Sequence, residues 1–121
     1  MPNGDCESIL TTAFTDLIRD STEMVEKFRG MILATPPEGL AGCFTVVRDA
    51  DLCRTNSLIK RPTLVIGGTD DTVTQANHSE EIARSIPGSS LCLFQGDHML
   101  NVEKQEDFLK SVKHWLLHPP S

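Results

Sequence analysis

Two acids and one histidine follow the two short apolar runs of this sequence. Asp70 and Asp71 come after the run at residues 62–67, and His98 comes after the run at residues 89–94. An acid beside a histidine can hold the imidazole in one tautomer and stabilise its charged form. An imidazole held in this way can take a proton from a nucleophile. The residue types therefore predict an acid–base pair, if the fold brings the two loops together.

Both runs have the composition of buried strands, because they are apolar and glycine ends each of them. The first run also contains β-branched residues, which favour strands. Apolar residues recur between them at helical spacing: Ala76, Ile82, Ala83 and Ile86. Thr72 and Gln75 have the form of a capping box at the start of this helix. Strand, helix and strand predict a parallel pair with a right-handed crossover. The carboxyl ends of parallel strands share one sheet edge, which would place Asp71 and His98 in neighbouring loops.

The stretches VIGGTDD and GDHMLNVE resemble the C-terminal end of the α/β-hydrolase fold, in which an acid and then a histidine follow the last two strands. The upstream stretch FRGMILATPPEGLAGCFTVVRDADL is similar to the cap segment of the 3-oxoadipate enol-lactonases. This resemblance implies an α/β fold class, the C-terminal half of an α/β hydrolase, with cap helices before a strand–helix–strand–helix unit. It assigns the catalytic acid to Asp71 and the base to His98. The sequence departs from the family at Gln105, usually proline, and at Leu40, often tyrosine.

The resemblance also implies a serine nucleophile in a G-x-S-x-G turn that precedes the acid in the chain. No serine in the sequence has this context, because Ser89 and Ser90 follow the acid and lie in a predicted strand. The upstream oxyanion loop of the family is absent as well. We therefore expect a chain that lacks its nucleophile and is inactive alone. Residues 4–8 fall one residue short of a G-x-C-x-G turn, but no strand precedes them, which argues against Cys6 as the nucleophile.

The chain divides by pattern into residues 1–60, a residual helical cap segment and its connection, and residues 61–118, the β-α-β-α part of the core. Helices are expected from residue 21 or 22 to the prolines at 36 and 37, and from about 38 to 50. In this segment four large side chains are expected to pack in a core rather than contact substrate: Met24, Phe28, Met31 and Phe44. The last helix is expected over residues 104–117.

Arg29 and Arg48 in the cap segment are candidate substrate-binding residues. A lactone with a free carboxylate requires a cationic partner, and a guanidinium offers a planar pair of donors. The alternative is a solvated helix face or an ion pair with Glu26 or Asp49, which is the usual situation of a surface arginine.

The composition excludes several classes of partner. A net charge of −6, a pI of about 5.1 and the absence of tyrosine argue against nucleic acid and anionic membranes. No segment reaches the ~20 apolar residues of a membrane-spanning helix. The four cysteines form neither a C-x-x-C pair nor a metal-ligand spacing with histidine, so reduced thiols and a cytoplasmic location are expected. The family implies neither a metal nor an organic cofactor.

Two functions remain open from the sequence. The resemblance implies hydrolysis of a small-molecule carboxylic ester or lactone, as in the β-ketoadipate pathway of aromatic catabolism. The alternative is a non-catalytic binding or interaction module that keeps the fold without the chemistry. Two strands leave open sheet edges, which favour self-association or pairing with a missing N-terminal half.

Overall fold

The computed structural model describes residues 8–11 and 21–119. They belong to two compact units that divide between Asp51 and Leu52, inside the connection expected near the end of residues 1–60. The roles of cap and core that the sequence assigns to residues 1–60 and 61–118 stay predictions. Cys6 lies outside the described residues.

Two helices make up most of the described part of the first unit, α1 at Thr22–Ala34 and α2 at Pro37–Asp49. The helix α1 ends because Pro36 favours an extended conformation at Thr35, whose φ and ψ are −79° and 126°. Pro37 opens α2 in its first turn, where its missing N–H costs nothing. Within the described ranges no single helix is long and apolar enough to cross a membrane; α1 and α2 reach that length only together, and they meet at 96°.

The apolar stripes of the first unit are largely exposed. Met31 is 58% exposed and Phe44 is 56% exposed, so the expectation that these two side chains pack in a core is wrong for this structure. Met24 and Phe28 are partly buried, closer to what was expected. Two short helices have too little surface to cover every apolar residue they carry.

The second unit contains a parallel two-stranded sheet with helices around it. Its elements are α3 (Cys53–Asn56), β1 (Leu64–Gly68), α4 (Ala76–Ser85), β2 (Ser90–Phe94), α5 (Leu100–Glu103) and α6 (Gln105–Leu117). Leu64 pairs with Ser90 and Gly68 pairs with Phe94, so the two strands end at the same edge. The predicted strand–helix–strand unit is confirmed, and both loops that carry the candidate residues leave this edge.

The helix between the strands begins later than the pattern predicts. It starts at Ala76 rather than near Thr72, and Gln75 precedes it without a side-chain capping bond. The capping box therefore does not form, because residues 71–75 make a turn instead. The last helix, expected over residues 104–117, is confirmed as α6 at Gln105–Leu117, and the short helix α5 that precedes it was not predicted.

The core of the second unit is small. Val65, Ile86 and Leu100 are buried, whereas Ile82, expected on the buried stripe of α4, is 42% exposed. A side chain at Gly67 would collide with Ser79 of α4, so glycine there lets the helix lie close to β1. Because the helix α4 lies so close to β1, few large side chains fit between them.

Gly68 permits a second close approach, at the edge where the loops meet. A Cβ atom at this position would collide with the carbonyl oxygen of Gly96 and would lie 2.7 Å from that of Asp97. The loop that carries His98 can pass over the end of β1 only because residue 68 has no side chain. The glycine thus helps to position the candidate site.

Candidate active site

The candidate acid lies in the turn directly after β1. Asp71 is only 8% exposed. Its Oδ1 atom accepts hydrogen bonds from the backbone N–H groups of Val73 at 2.8 Å and Thr74 at 2.9 Å. Its Oδ2 atom lies 3.1 Å from the Thr74 hydroxyl. Aspartate favours turns of this kind because its short side chain can bond the backbone two or three residues ahead.

The candidate base lies in the loop between β2 and α5. The backbone N–H of His98 donates to Asp97 Oδ1 at 2.8 Å, and the N–H of Asp97 donates to Glu103 Oε2 at 3.0 Å. Across the sheet edge, the N–H of Asp70 donates to the carbonyl oxygen of Gly96 at 3.0 Å. These bonds tie the histidine loop both to α5 and to the turn that carries the acid.

The two loops bring the acid and the base into contact. His98 Nδ1 lies 3.0 Å from Asp71 Oδ2. An ionised carboxylate only accepts hydrogen bonds, so Nδ1 carries the proton in this contact and Nε2 of a neutral imidazole is left as an acceptor. The His98 side chain is 37% exposed while that of Asp71 is 7% exposed. His98 is therefore accessible enough to exchange a proton with a reacting group, whereas Asp71 is shielded from solvent.

The surroundings of Asp71 favour its charged form. Burial alone raises the pKa of its carboxyl, but hydrogen bonds from the Thr74 N–H, His98 and the Val73 N–H act in the opposite direction and outweigh it. The pKa of Asp71 consequently lies below its ordinary value of 3.8. A negative charge thus stands next to His98 at neutral pH and can stabilise an imidazolium.

A cavity of about 340 Å³ adjoins the histidine. It is lined by His98, Asn101 and three apolar side chains, those of Ile66, Leu100 and Phe108. A larger cavity, of about 610 Å³, lies between β2 and α6 and contains neither Asp71 nor His98. The smaller cavity therefore combines mostly apolar walls with a side chain that can accept a proton, a combination common in small-molecule sites.

Asp70, the first acid of the pair, does not contact the histidine through its side chain. It is exposed, and its Oδ1 atom lies 3.4 Å from the hydroxyl of Thr69. Only its backbone N–H takes part in the site. The structure therefore agrees with the interpretation of Asp70 as a residue of the turn.

Arg29 and Arg48 form the ion pairs that the alternative interpretation names. Arg29 Nε lies 3.0 Å from Glu26 Oε1 on the same helix. Arg48 bonds both oxygens of Asp49, at 2.6 Å and 2.8 Å, and this contact raises the pKa of the guanidinium. A role for either arginine in binding a substrate carboxylate stays a prediction.

Sequence reasoning missed three residues that hold the pair in place: Thr74, Asp97 and Glu103. Asp97 and Glu103 stand inside the stretch that carries the family resemblance, so their proximity to the histidine was a usable signal. Thr74 was not, since its hydroxyl reaches Asp71 only through the shape of the turn. Among the described residues, no group of three or more His, Cys, Asp or Glu side chains could hold a metal ion.

The sequence was compared with protein-family models and with curated proteins. No protein-family model matches the sequence. The sequence is 32% identical over 96 residues to 3-oxoadipate enol-lactonase 2 of Acinetobacter baylyi, a match that covers 79% of this chain and 36% of that protein. The chain thus spans little more than a third of this curated relative.

Solved structures agree with the sequence match. A hydrolase from Pseudomonas aeruginosa superposes with a TM-score of 0.88 and 42% identity, covering 94% of this chain and 43% of that one. The enol-lactonase from Burkholderia xenovorans superposes with a TM-score of 0.91 and 27% identity, covering 96% of this chain and 45% of that one. The chain therefore has the C-terminal part of an α/β-hydrolase fold, and among proteins of that fold it resembles the 3-oxoadipate enol-lactonases.

Proposed function

We propose that this chain supplies the acid and the base of a Ser–His–Asp hydrolase that acts on carboxylic esters or lactones. The observation that carries the proposal is the 3.0 Å contact between His98 Nδ1 and the buried carboxylate of Asp71. In the proposed reaction His98 takes the proton of a serine hydroxyl as the serine attacks the carbonyl carbon. Asp71 orients the imidazole and stabilises its charged form. His98 then gives this proton to the leaving oxygen as the ester or lactone C–O bond breaks. The neutral imidazole next takes a proton from water, whose oxygen attacks the acyl-serine, and the proton returns to the serine as the acid is released.

We propose that the serine and the oxyanion hole are supplied from outside these 121 residues, a proposal supported by the lack of a G-x-S-x-G turn before Asp71. We therefore propose that the chain is inactive alone and works with a nucleophile-bearing half. That half, or in its absence a second copy of the chain, would cover the open sheet edges and exposed apolar side chains such as Phe44 and Val47.

Within the ester and lactone hydrolases, we propose 3-oxoadipate enol-lactone as the preferred substrate. Two similarities support this choice: the match to the Acinetobacter baylyi enol-lactonase and the superposition on the Burkholderia xenovorans enol-lactonase. The product would be the opened keto-acid. Cys43 and Cys92 are free thiols, which supports a reducing compartment such as the cytoplasm.

The first test measures hydrolysis of an activated ester and of 3-oxoadipate enol-lactone by the purified chain, beside His98→Ala. We expect neither protein to exceed the buffer rate, because His98 has no nucleophile to activate. Turnover that disappears in His98→Ala would contradict inactivity of the isolated chain. The variant Cys6→Ala would then show whether that thiol is the nucleophile, since loss of turnover would assign the reaction to it.

A further inference from the structure

Thr74 contacts both oxygens of the Asp71 carboxylate. Its backbone N–H donates to Oδ1 at 2.9 Å, and its hydroxyl oxygen lies 3.1 Å from Oδ2. The carboxylate can only accept, so the hydroxyl is the donor in the second contact. One residue thus binds both ends of the carboxylate and restrains rotation of its plane about the Cβ–Cγ bond.

The restrained oxygen is the one that faces the histidine. His98 Nδ1 lies 3.0 Å from Oδ2, while the Val73 N–H donates to Oδ1. Among the described residues, the Thr74 hydroxyl is the one hydrogen-bond partner that Oδ2 has besides His98. The direction in which Oδ2 points therefore depends on this hydroxyl.

The hydroxyl does not compete with the acid for the imidazole. Thr74 Oγ1 is 3.5 Å from His98 Nδ1, against 3.1 Å from Asp71 Oδ2, so its proton belongs to the carboxylate. A hydroxyl that donated to Nδ1 would instead require the proton on Nε2, which would block Nε2 as an acceptor. The observed distances favour the tautomer that general-base catalysis needs.

We propose that Thr74 is a positioning residue for the Asp71–His98 pair, its hydroxyl holding Oδ2 toward Nδ1 and thereby keeping Nε2 free to accept a proton. Without the hydroxyl, Oδ1 stays tied by two N–H groups and Oδ2 can pivot away from the imidazole. This inference rests on the proposed roles of Asp71 and His98. The tautomer of His98 can nevertheless be read without any turnover.

The test records ¹⁵N chemical shifts of His98 in the full chain, in alkaline buffer where the imidazole is neutral. In the unmodified chain we expect the Nδ1–H tautomer to predominate. In Thr74→Val and Thr74→Ala we expect the tautomer ratio to move about tenfold toward Nε2–H, the size of one hydrogen bond to a charged group. Thr74→Ser should restore the original ratio. Thr69→Val is the matched control, because its hydroxyl contacts Asp70.

Each other outcome overturns the inference. An unchanged ratio in folded Thr74→Val or Thr74→Ala would remove the positioning role and leave the proposed roles of Asp71 and His98 intact. A predominant Nε2–H tautomer in the unmodified chain would contradict both. If neither hydroxyl-free variant folds while Thr74→Ser does, the hydroxyl is a requirement of the fold and the positioning role is overturned as well.

Discussion

Four hydrogen bonds converge on the carboxylate of Asp71, from the Val73 N–H, the Thr74 N–H, the Thr74 hydroxyl and His98. Burial raises the pKa of this carboxyl, but the bonds from the Thr74 N–H, His98 and the Val73 N–H outweigh it, so the pKa lies below the ordinary value. The sequence predicted Asp71 and His98 as partners because each follows a strand. It could not predict Thr74, since a hydroxyl contact across a turn leaves no periodic pattern.

The lowered pKa of Asp71 predicts a stability that depends on pH. Unfolding raises the pKa to its ordinary value, so the charged carboxylate stabilises the folded chain above about pH 4, and this contribution is lost as the pH falls through the folded pKa. At pH 7, Asp71→Asn should lower the free energy of unfolding by about 1–3 kcal/mol, the cost of weakened bonds to a buried charged group. The difference should shrink toward pH 2.

Chemical unfolding of both proteins from pH 7 to pH 2 measures this difference. Asp70→Asn is the control, because Asp70 is exposed and its side chain lies outside the pair. The difference in the free energy of unfolding between Asp70→Asn and the unmodified chain should stay the same at every pH. A gap between Asp71→Asn and the unmodified chain that stays constant from pH 7 to pH 2 would contradict the proposed cause.

A helix or strand was predictable from the sequence where its local pattern and its tertiary contacts favour the same conformation. The two strands, their parallel pairing and the helix between them follow from composition and order. The predicted start of that helix was wrong because Val73 and Thr74 bond the Asp71 carboxylate in a turn, and the helix begins only at Ala76. The prediction that Met31 and Phe44 lie in a core was wrong for this structure. Helical spacing indicates which face of a helix is apolar, but it does not show whether another part of the chain covers that face.

Substitution of Gly68 tests whether the end of β1 positions the loop that carries His98. In Gly68→Ala the new methyl group would meet the carbonyl oxygens of Gly96 and Asp97, so the loop must move away. We expect a loss of about 1–3 kcal/mol in the free energy of unfolding, the usual cost of overpacking. The contact between His98 and Asp71 should weaken with it, seen as a shift of the His98 tautomer toward Nε2–H.

Gly42→Ala is the matched control for this substitution. Gly42 lies inside α2, and a Cβ atom there would meet nothing within 4 Å. Alanine should stabilise that helix by up to about 1 kcal/mol. Equal stability of Gly68→Ala and the unmodified chain would show that the loop has room to spare, which contradicts the account of Gly68.

At the scale of the whole molecule, the chain has the C-terminal part of an α/β-hydrolase fold, with an acid–base pair assembled at the sheet edge. It spans about 43% of the Pseudomonas aeruginosa hydrolase on which it superposes. Exposed apolar side chains and the open edges of a two-stranded sheet are typical of surfaces that associate with another chain or segment. In isolation we expect its mass by sedimentation to rise with concentration; a monomer across the micromolar range would contradict this.

We propose that Asp71 and His98 serve a nucleophile that another half supplies. The most direct measurement mixes the chain with the upstream half of a related enol-lactonase, which carries the serine turn, and follows hydrolysis of 3-oxoadipate enol-lactone. We expect turnover with the unmodified chain and a loss of at least about a hundredfold with His98→Ala, because a general base usually contributes that much or more to the rate. A mixture that assembles but stays silent, with Asp71 and His98 replaceable without consequence, would contradict the claim and favour a binding module.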